Sequence, residues 1–187
     1  MGKSLWVSVF IILLLPYGPS YASDMRSPVR EYRDANKLFA AGRYRDAIPL
    51  YRLVLASHPE QVPLGDVYTR IGDSYFRLGE YKNALPAYRS ALESQKDAER
   101  PSTQYWIAFC YFLMGNDAEA AAEFLRIPER YPSSGMWVGT AYYWAGRASE
   151  RRGRIEDAAE YYRKAGGNGR STQGLFALRK AEAIKKQ

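Results

Sequence analysis

"AGRYRDAIPLYR", residues 41–52, returns as "LGEYKNALPAYR", residues 78–89, with Gly, Tyr, Ala, Pro, Tyr and Arg at identical offsets. A segment written twice at such a distance calls for further copies, because a fixed period of about 20–50 residues is the signature of stacked units. Gly42, Gly79, Gly115 and Gly153 follow one another at intervals of 37, 36 and 38 residues. Five residues after each glycine stands an alanine: Ala47, Ala84, Ala120 and Ala158. Nine after stands an aromatic: Tyr51, Tyr88, Phe124 and Tyr162. Seven before stands a small residue: Ala35, Gly72, Ala108 and Gly146.

Each copy has an apolar segment on either side of its glycine, and both segments have helical period. "YTRIGDSYFRL" and "STQYWIAFCYFLM" typify the first helix of a unit; "AAAEFLRI" and "DAAEYYRKA" typify the second. The glycine falls where the first helix must stop in a positive-φ residue. The spacing predicts that the alanine and the small residue before the turn face each other. The aromatic, one turn beyond the alanine, is expected to fill the wedge between neighbouring helix pairs. Pro49 and Pro86 are expected in the opening turn of the second helix, where N–H groups lack intrahelical partners. Pro128 should kink or end its helix.

The combination of small residue, Gly-x-Tyr, Ala, Tyr/Phe and the closing Pro59 and Pro132 resembles the tetratricopeptide repeat. Asp117 and Ile155 replace the aromatic after the glycine, and the spacing exceeds the usual period of about 34 residues. The resemblance implies an all-α, right-handed superhelical solenoid of about four helix pairs, at 28–61, 65–98, 101–134 and 139–172. Residues 173–187 read as a C-terminal capping helix, with Leu175, Leu178, Ala181 and Ile184 as its apolar stripe. "RYPSSGMWVGTAYYWAGRASERRG" further resembles exported bacterial repeat proteins. These include the Tol–Pal-associated cell-division coordinator and outer-membrane-assembly repeat proteins. The same stretch is similar to the superhelix of soluble lytic transglycosylases.

The N-terminus has a different character. Lys3, the apolar run Leu5–Leu15 and the small residues of Ser20-Tyr21-Ala22 read as a secretory signal peptide over residues 1–22, cleaved after Ala22. A short spacer, 23–27, then leads into the repeats. Cys110 is the only cysteine, so no internal disulfide is expected. The expected product is soluble in the periplasm or outside a bacterial cell.

The formal net charge is +7. The basic excess gathers at the C-terminal end, with Arg151, Arg152, Arg154 and Arg170 as candidate basic surface. For an exported chain this points away from nucleic acid and toward an anionic wall polymer, a lipid surface or an acidic partner.

Nothing in the sequence builds an active site. His58 stands alone beside Pro59 with no nucleophile or orienting acid. No paired ligand spacing accompanies His58 or Cys110, so no metal or other cofactor is expected. "GGNGR", 166–170, follows no strand and reads as a helix end. What remains is surface. The resemblance implies that the first helices line a concave groove. Tyr32, Asn36 and Phe39, then Asp73, Phe76 and Arg77, then Tyr105, then Tyr143 and Arg147 are its candidate partner-binding residues. Phe109 and Phe112 are expected to belong to the core. The function expected is a non-enzymatic interaction scaffold of the cell envelope. The competing expectation is an accessory module of peptidoglycan remodelling that contacts glycan or a lytic enzyme.

Overall fold

The computed structural model describes residues 27–57, 59–167 and 172–184. The candidate signal peptide, His58 and Arg170 lie outside the described residues. Nine helices and no strand occur among the described residues: α1 (Pro28–Ala40), α2 (Tyr44–Ala56), α3 (Leu64–Arg77), α4 (Tyr81–Ser94), α5 (Arg100–Leu113), α6 (Asp117–Arg130), α7 (Gly135–Arg151), α8 (Ile155–Gly166) and α9 (Thr172–Ile184). None is long and apolar enough to cross a membrane. Each helix packs mainly on its neighbours in the chain, and α1 also touches α3 as α5 touches α7. The result is an all-α solenoid whose first helices form one wall.

One turn, used four times, makes the helix pairs. Gly42, Gly79, Gly115 and Gly153 have φ of +74°, +75°, +80° and +71°. In every case the glycine N–H bonds the carbonyl three residues back, as Gly42 does with Phe39 at 3.0 Å. The next N–H reaches back five residues: Arg43 to Leu38, Glu80 to Tyr75, Asn116 to Tyr111 and Arg154 to Ser149, all within 2.9–3.0 Å. These paired bonds form a Schellman cap, which satisfies the last carbonyls of the first helix and requires the left-handed residue.

The core comes in consecutive pieces. One apolar cluster spans α1–α4, a second joins the α3–α4 and α5–α6 pairs, a third fills α5–α7, and a fourth seats α9 on α7–α8. Ala47, Ala84, Ala120 and Ala158 are fully buried, as are Tyr51, Tyr88, Phe124 and Tyr162. Their arrangement adds a contact that was not expected. A Cβ added to Gly72 would stand 2.6 Å from the Tyr88 ring, and one on Gly146 would stand 2.8 Å from Tyr162. What lies over the small residue is therefore the aromatic of the same unit. The ring closes its own helix pair and also fills the wedge to the next one, since Tyr88 clusters with Ile107 and Cys110 of α5 and Phe124 lies 6.4 Å from Trp144 of α7.

Two further expectations change. Pro49 and Pro86 lie inside α2 and α4, in the second turn, because those helices start at Tyr44 and Tyr81. Both prolines are exposed, so the ladder bond each one removes is on the solvent side. On α9 the buried residues are Ala177 and Ala181, whereas Leu175 is half exposed. The stripe read from Leu175 is thus rotated: two alanines let α9 sit close, and the leucine points outward.

Specific polar contacts join successive units. Arg52 donates to the Tyr75 hydroxyl at 2.9 Å, and Arg89, its repeat equivalent, donates to Tyr111 at 2.7 Å. At the third junction Arg151 takes over, pairing with Asp117 at 3.1 Å and donating to the Phe112 carbonyl at 3.2 Å. Gln95 bonds both Thr69 (2.9 Å) and Thr103 (2.7 Å), fixing α3 against α5.

Candidate partner-binding groove

α1, α3 and α5 present one face each to a common cavity of about 250 Å³. Phe39, Arg70, Asp73, Phe76, Arg77 and Trp106 line it, with the Tyr88 ring behind. Four of the candidates meet here: Phe39, Asp73, Phe76 and Arg77. Helical spacing explains this, since residues 73, 76 and 77 share one side of α3.

Electrostatically the cavity is positive with one compromised carboxylate. Arg70 lies 4.7 Å from the centre of the Phe39 ring, a cation–π contact. Asp73 Oδ1 accepts the Tyr88 hydroxyl at 2.8 Å. Burial pushes the Asp73 carboxyl above its ordinary range, and Tyr88, Arg70 and Arg77 only partly counter it. Neither arginine makes an ion pair within 4 Å among the described residues. Two exposed guanidiniums therefore face a space bounded by three aromatic rings.

The remaining candidates are placed elsewhere. Asn36 Oδ1 accepts the Tyr51 hydroxyl at 2.8 Å, repeating the Asp73–Tyr88 bond one unit earlier. Tyr32 packs against Tyr51, ring centres 6.1 Å apart. These polar side chains on the first helix have a structural duty that sequence alone did not reveal: they satisfy buried tyrosine hydroxyls.

Tyr105 belongs to an aromatic cluster. Its ring meets Trp106, Phe109, Phe124 and Trp137 at 5.2–5.6 Å. Burial pushes its phenol up to about 12. Phe109 and Phe112 both pack on Trp144, at 4.8 and 5.1 Å, with Phe112 buried and Phe109 half-buried. Stacked, tilted and edge-to-face contacts within the cluster occupy these rings, so little flat surface is left for a flat ligand to stack on. Trp106 and Trp144, which hold the cluster together, were missed in the sequence, as was Arg70.

Tyr143 and Arg147 occupy the far end. Tyr143 contacts Tyr162 at 5.8 Å and Phe176 of α9 at 6.1 Å. Arg147 lies 3.8 Å from Glu150. Glu150 in turn accepts the Tyr162 hydroxyl at 2.6 Å and Lys180 of α9 at 2.8 Å. Burial alone would raise the Glu150 carboxyl. The hydrogen bonds from Lys180 and Tyr162 and the charges of Lys180 and Arg147 outweigh it and hold the group low. A carboxyl lowered by folding contributes stability above its unfolded value, near pH 4.3, and loses it as pH falls further. Thermal melts between pH 6 and pH 3 should show wild type losing its advantage over Glu150→Gln across that window. Parallel curves would mean that the carboxylate does not fasten α9.

Of the candidate basic surface, Arg151 is tied to Asp117 and lies 4.4 Å from the Phe112 ring centre. Arg154 pairs with Asp157 at 2.6 Å. Arg152 is exposed and makes no ion pair within 4 Å among the described residues. Cys110 is fully buried, and burial pushes its thiol up to about 12. No group of three His, Cys, Asp or Glu able to hold a metal occurs among the described residues.

The family model of the tetratricopeptide repeat matches residues 69–135 and 138–171, over half of the chain. The first pair, α1–α2, precedes the matched span, yet it has the same Schellman turn and the same tyrosine–acceptor bond. No curated protein matches the sequence. Among solved structures, a tetratricopeptide repeat protein from Parabacteroides merdae ATCC 43184 is similar at 16% identity and TM-score 0.69, covering 85% of this chain and 60% of that one. This chain thus spans less than two thirds of that relative. YrrB, described as a TPR protein with an unusual peptide-binding site, aligns at 22% identity and TM-score 0.62, with 86% and 75% covered. The first TPR of Spaghetti (RPAP3), bound to the HSP90 peptide SRMEEVD, aligns at 21% identity and TM-score 0.54, with 66% and 94% covered. At these identities the likeness shows the fold.

Proposed function

The chain belongs to the tetratricopeptide repeat family, and from that premise we propose that it is a non-enzymatic interaction scaffold of the bacterial cell envelope. Its partner, a protein or peptide, lies in the cavity over α3. The observation that carries this reading is the meeting of Phe39, Phe76, Trp106, Arg70 and Arg77 from three successive first helices around one open space. Aromatic and arginine side chains give large contact area for few frozen rotamers, which suits peptide capture. The peptide-binding site named for YrrB and the peptide held by the RPAP3 domain support the same use of the fold. The envelope part rests on the apolar run Leu5–Leu15 with Ser20-Tyr21-Ala22, and on the resemblance of the second half to exported repeat proteins.

The groove, not the basic end, is favoured as the recognition surface, because Arg151 and Arg154 already have acidic partners. A photo-cross-linking residue at position 39 in intact cells tests the proposal. Adducts with a defined protein in the exported fraction are expected, while the exposed position 53 on α2 gives none of the same species. Equal labelling at both positions, or adducts confined to the cytoplasm, would contradict it.

A further inference from the structure

Resting on that groove reading, we infer that the segment bound over α3 is acidic: two carboxylate side chains of one partner strand engage Arg70 and Arg77, and Asp73 holds their affinity down. Arg70 and Arg77 both line the cavity, are exposed and make no ion pair within 4 Å among the described residues. The one carboxylate between them is committed to Tyr88. The unit charges lining the cavity, two arginines against one aspartate, therefore sum to a positive site walled by Phe39, Phe76 and Trp106. Such a site favours an anionic group carried beside apolar side chains.

Geometry favours internal acidic side chains over a chain end. Seven residues along a helix rise about 10.5 Å, so the two arginine backbones are two turns apart. Alternate side chains of an extended segment lie about 7 Å apart on one side. An acidic pair at i and i+2, reached by long arginine stems, spans the arginines with one carboxylate each. A single terminal carboxylate would satisfy one of them only.

Asp73 gives the inference its sharpest consequence. In the first unit the equivalent acceptor is Asn36, which takes the Tyr51 hydroxyl at 2.8 Å without charge. Asp73→Asn therefore keeps an acceptor for Tyr88 while removing the charge that competes with the ligand. Its expected effect is tighter binding, where loss of a contact would give weaker binding.

The experiment uses the full chain and a random heptapeptide library displayed in two forms, inside a loop and with a free C-terminus. Selection from the loop form should enrich paired Asp or Glu next to apolar residues. Binding of the enriched peptides should fall about tenfold in Arg70→Gln and in Arg77→Gln and rise several-fold in Asp73→Asn, with helical CD unchanged. Enrichment confined to free C-termini overturns the internal pair. Neutral or basic peptides that bind independently of both arginines overturn the acidic segment yet leave the groove standing. If no peptide is enriched over a Phe76→Ala/Trp106→Ala control, both the segment and the groove fall. An unchanged or weakened Asp73→Asn overturns the role given to Asp73.

Discussion

Phe124→Ala is expected to remove about 4 kcal/mol of stability, the largest single loss in the chain. The ring is fully buried, 5.6 Å from Tyr105 and 6.4 Å from Trp144. Its removal leaves a cavity among alanines too short to close it: Ala108, Ala120, Ala141 and Ala145 surround the same cluster. For a chain of this size the midpoint should fall by roughly 10 °C. Chemical denaturation and calorimetry measure the loss directly. Because the clusters are serial, hydrogen exchange should accelerate first in α5–α7 and least in α1–α2. A loss below about 1 kcal/mol would mean that this ring is not in a closed core.

Gly72→Val is the second large effect, expected at about 3 kcal/mol. A Cβ at 72 alone comes within 2.6 Å of two Tyr88 ring carbons, and valine adds two methyl groups beyond it. Tyr88 cannot swing aside cheaply, since it is fully buried and its hydroxyl is held by Asp73. Ala35 and Ala108 occupy the same repeat position and share a cluster with Tyr51 and Phe124, so that position admits an alanine in those units. Gly72→Ala should accordingly cost less, part of the clash being offset by the better helix propensity of alanine. Melting curves of the two variants should separate clearly, and coincidence with wild type would remove the ring from over Gly72.

The fold was legible because its signals are local and repeated. A glycine that must be left-handed, an alanine and an aromatic at fixed offsets leave little choice of architecture, and positive φ at Gly42, Gly79, Gly115 and Gly153 agrees with that reading. The packing partner of the aromatic was not legible, since spacing fixes which side of a helix a ring occupies but not which backbone it covers. The helix starts at Tyr44 and Tyr81 were likewise hidden, for lack of any side-chain cap to mark them.

For the groove, Phe39, Asp73, Phe76 and Arg77 could be read from steps of three and four. Arg70 was not among the residues read, and its neighbour Thr69 is spent on Gln95. Asn36 was read as groove surface, and the tyrosine bonds of Asn36 and Glu150 stayed hidden because their partners lie 15 and 12 residues away. Tyr105 looked like groove surface because Trp106 and Trp144, which bury it, come from positions that the periodicity did not rank.

Cys110 turns the boundary between α3–α4 and α5–α6 into a clock. Its sulfur is sealed in the cluster that joins those pairs and is held as a thiol at neutral pH. A thiol-directed dye must therefore wait for that seam to part, and the rate of labelling counts how often it does. Occupancy of the adjoining cradle should slow the count, so a native side chain already reports whether a guest is aboard.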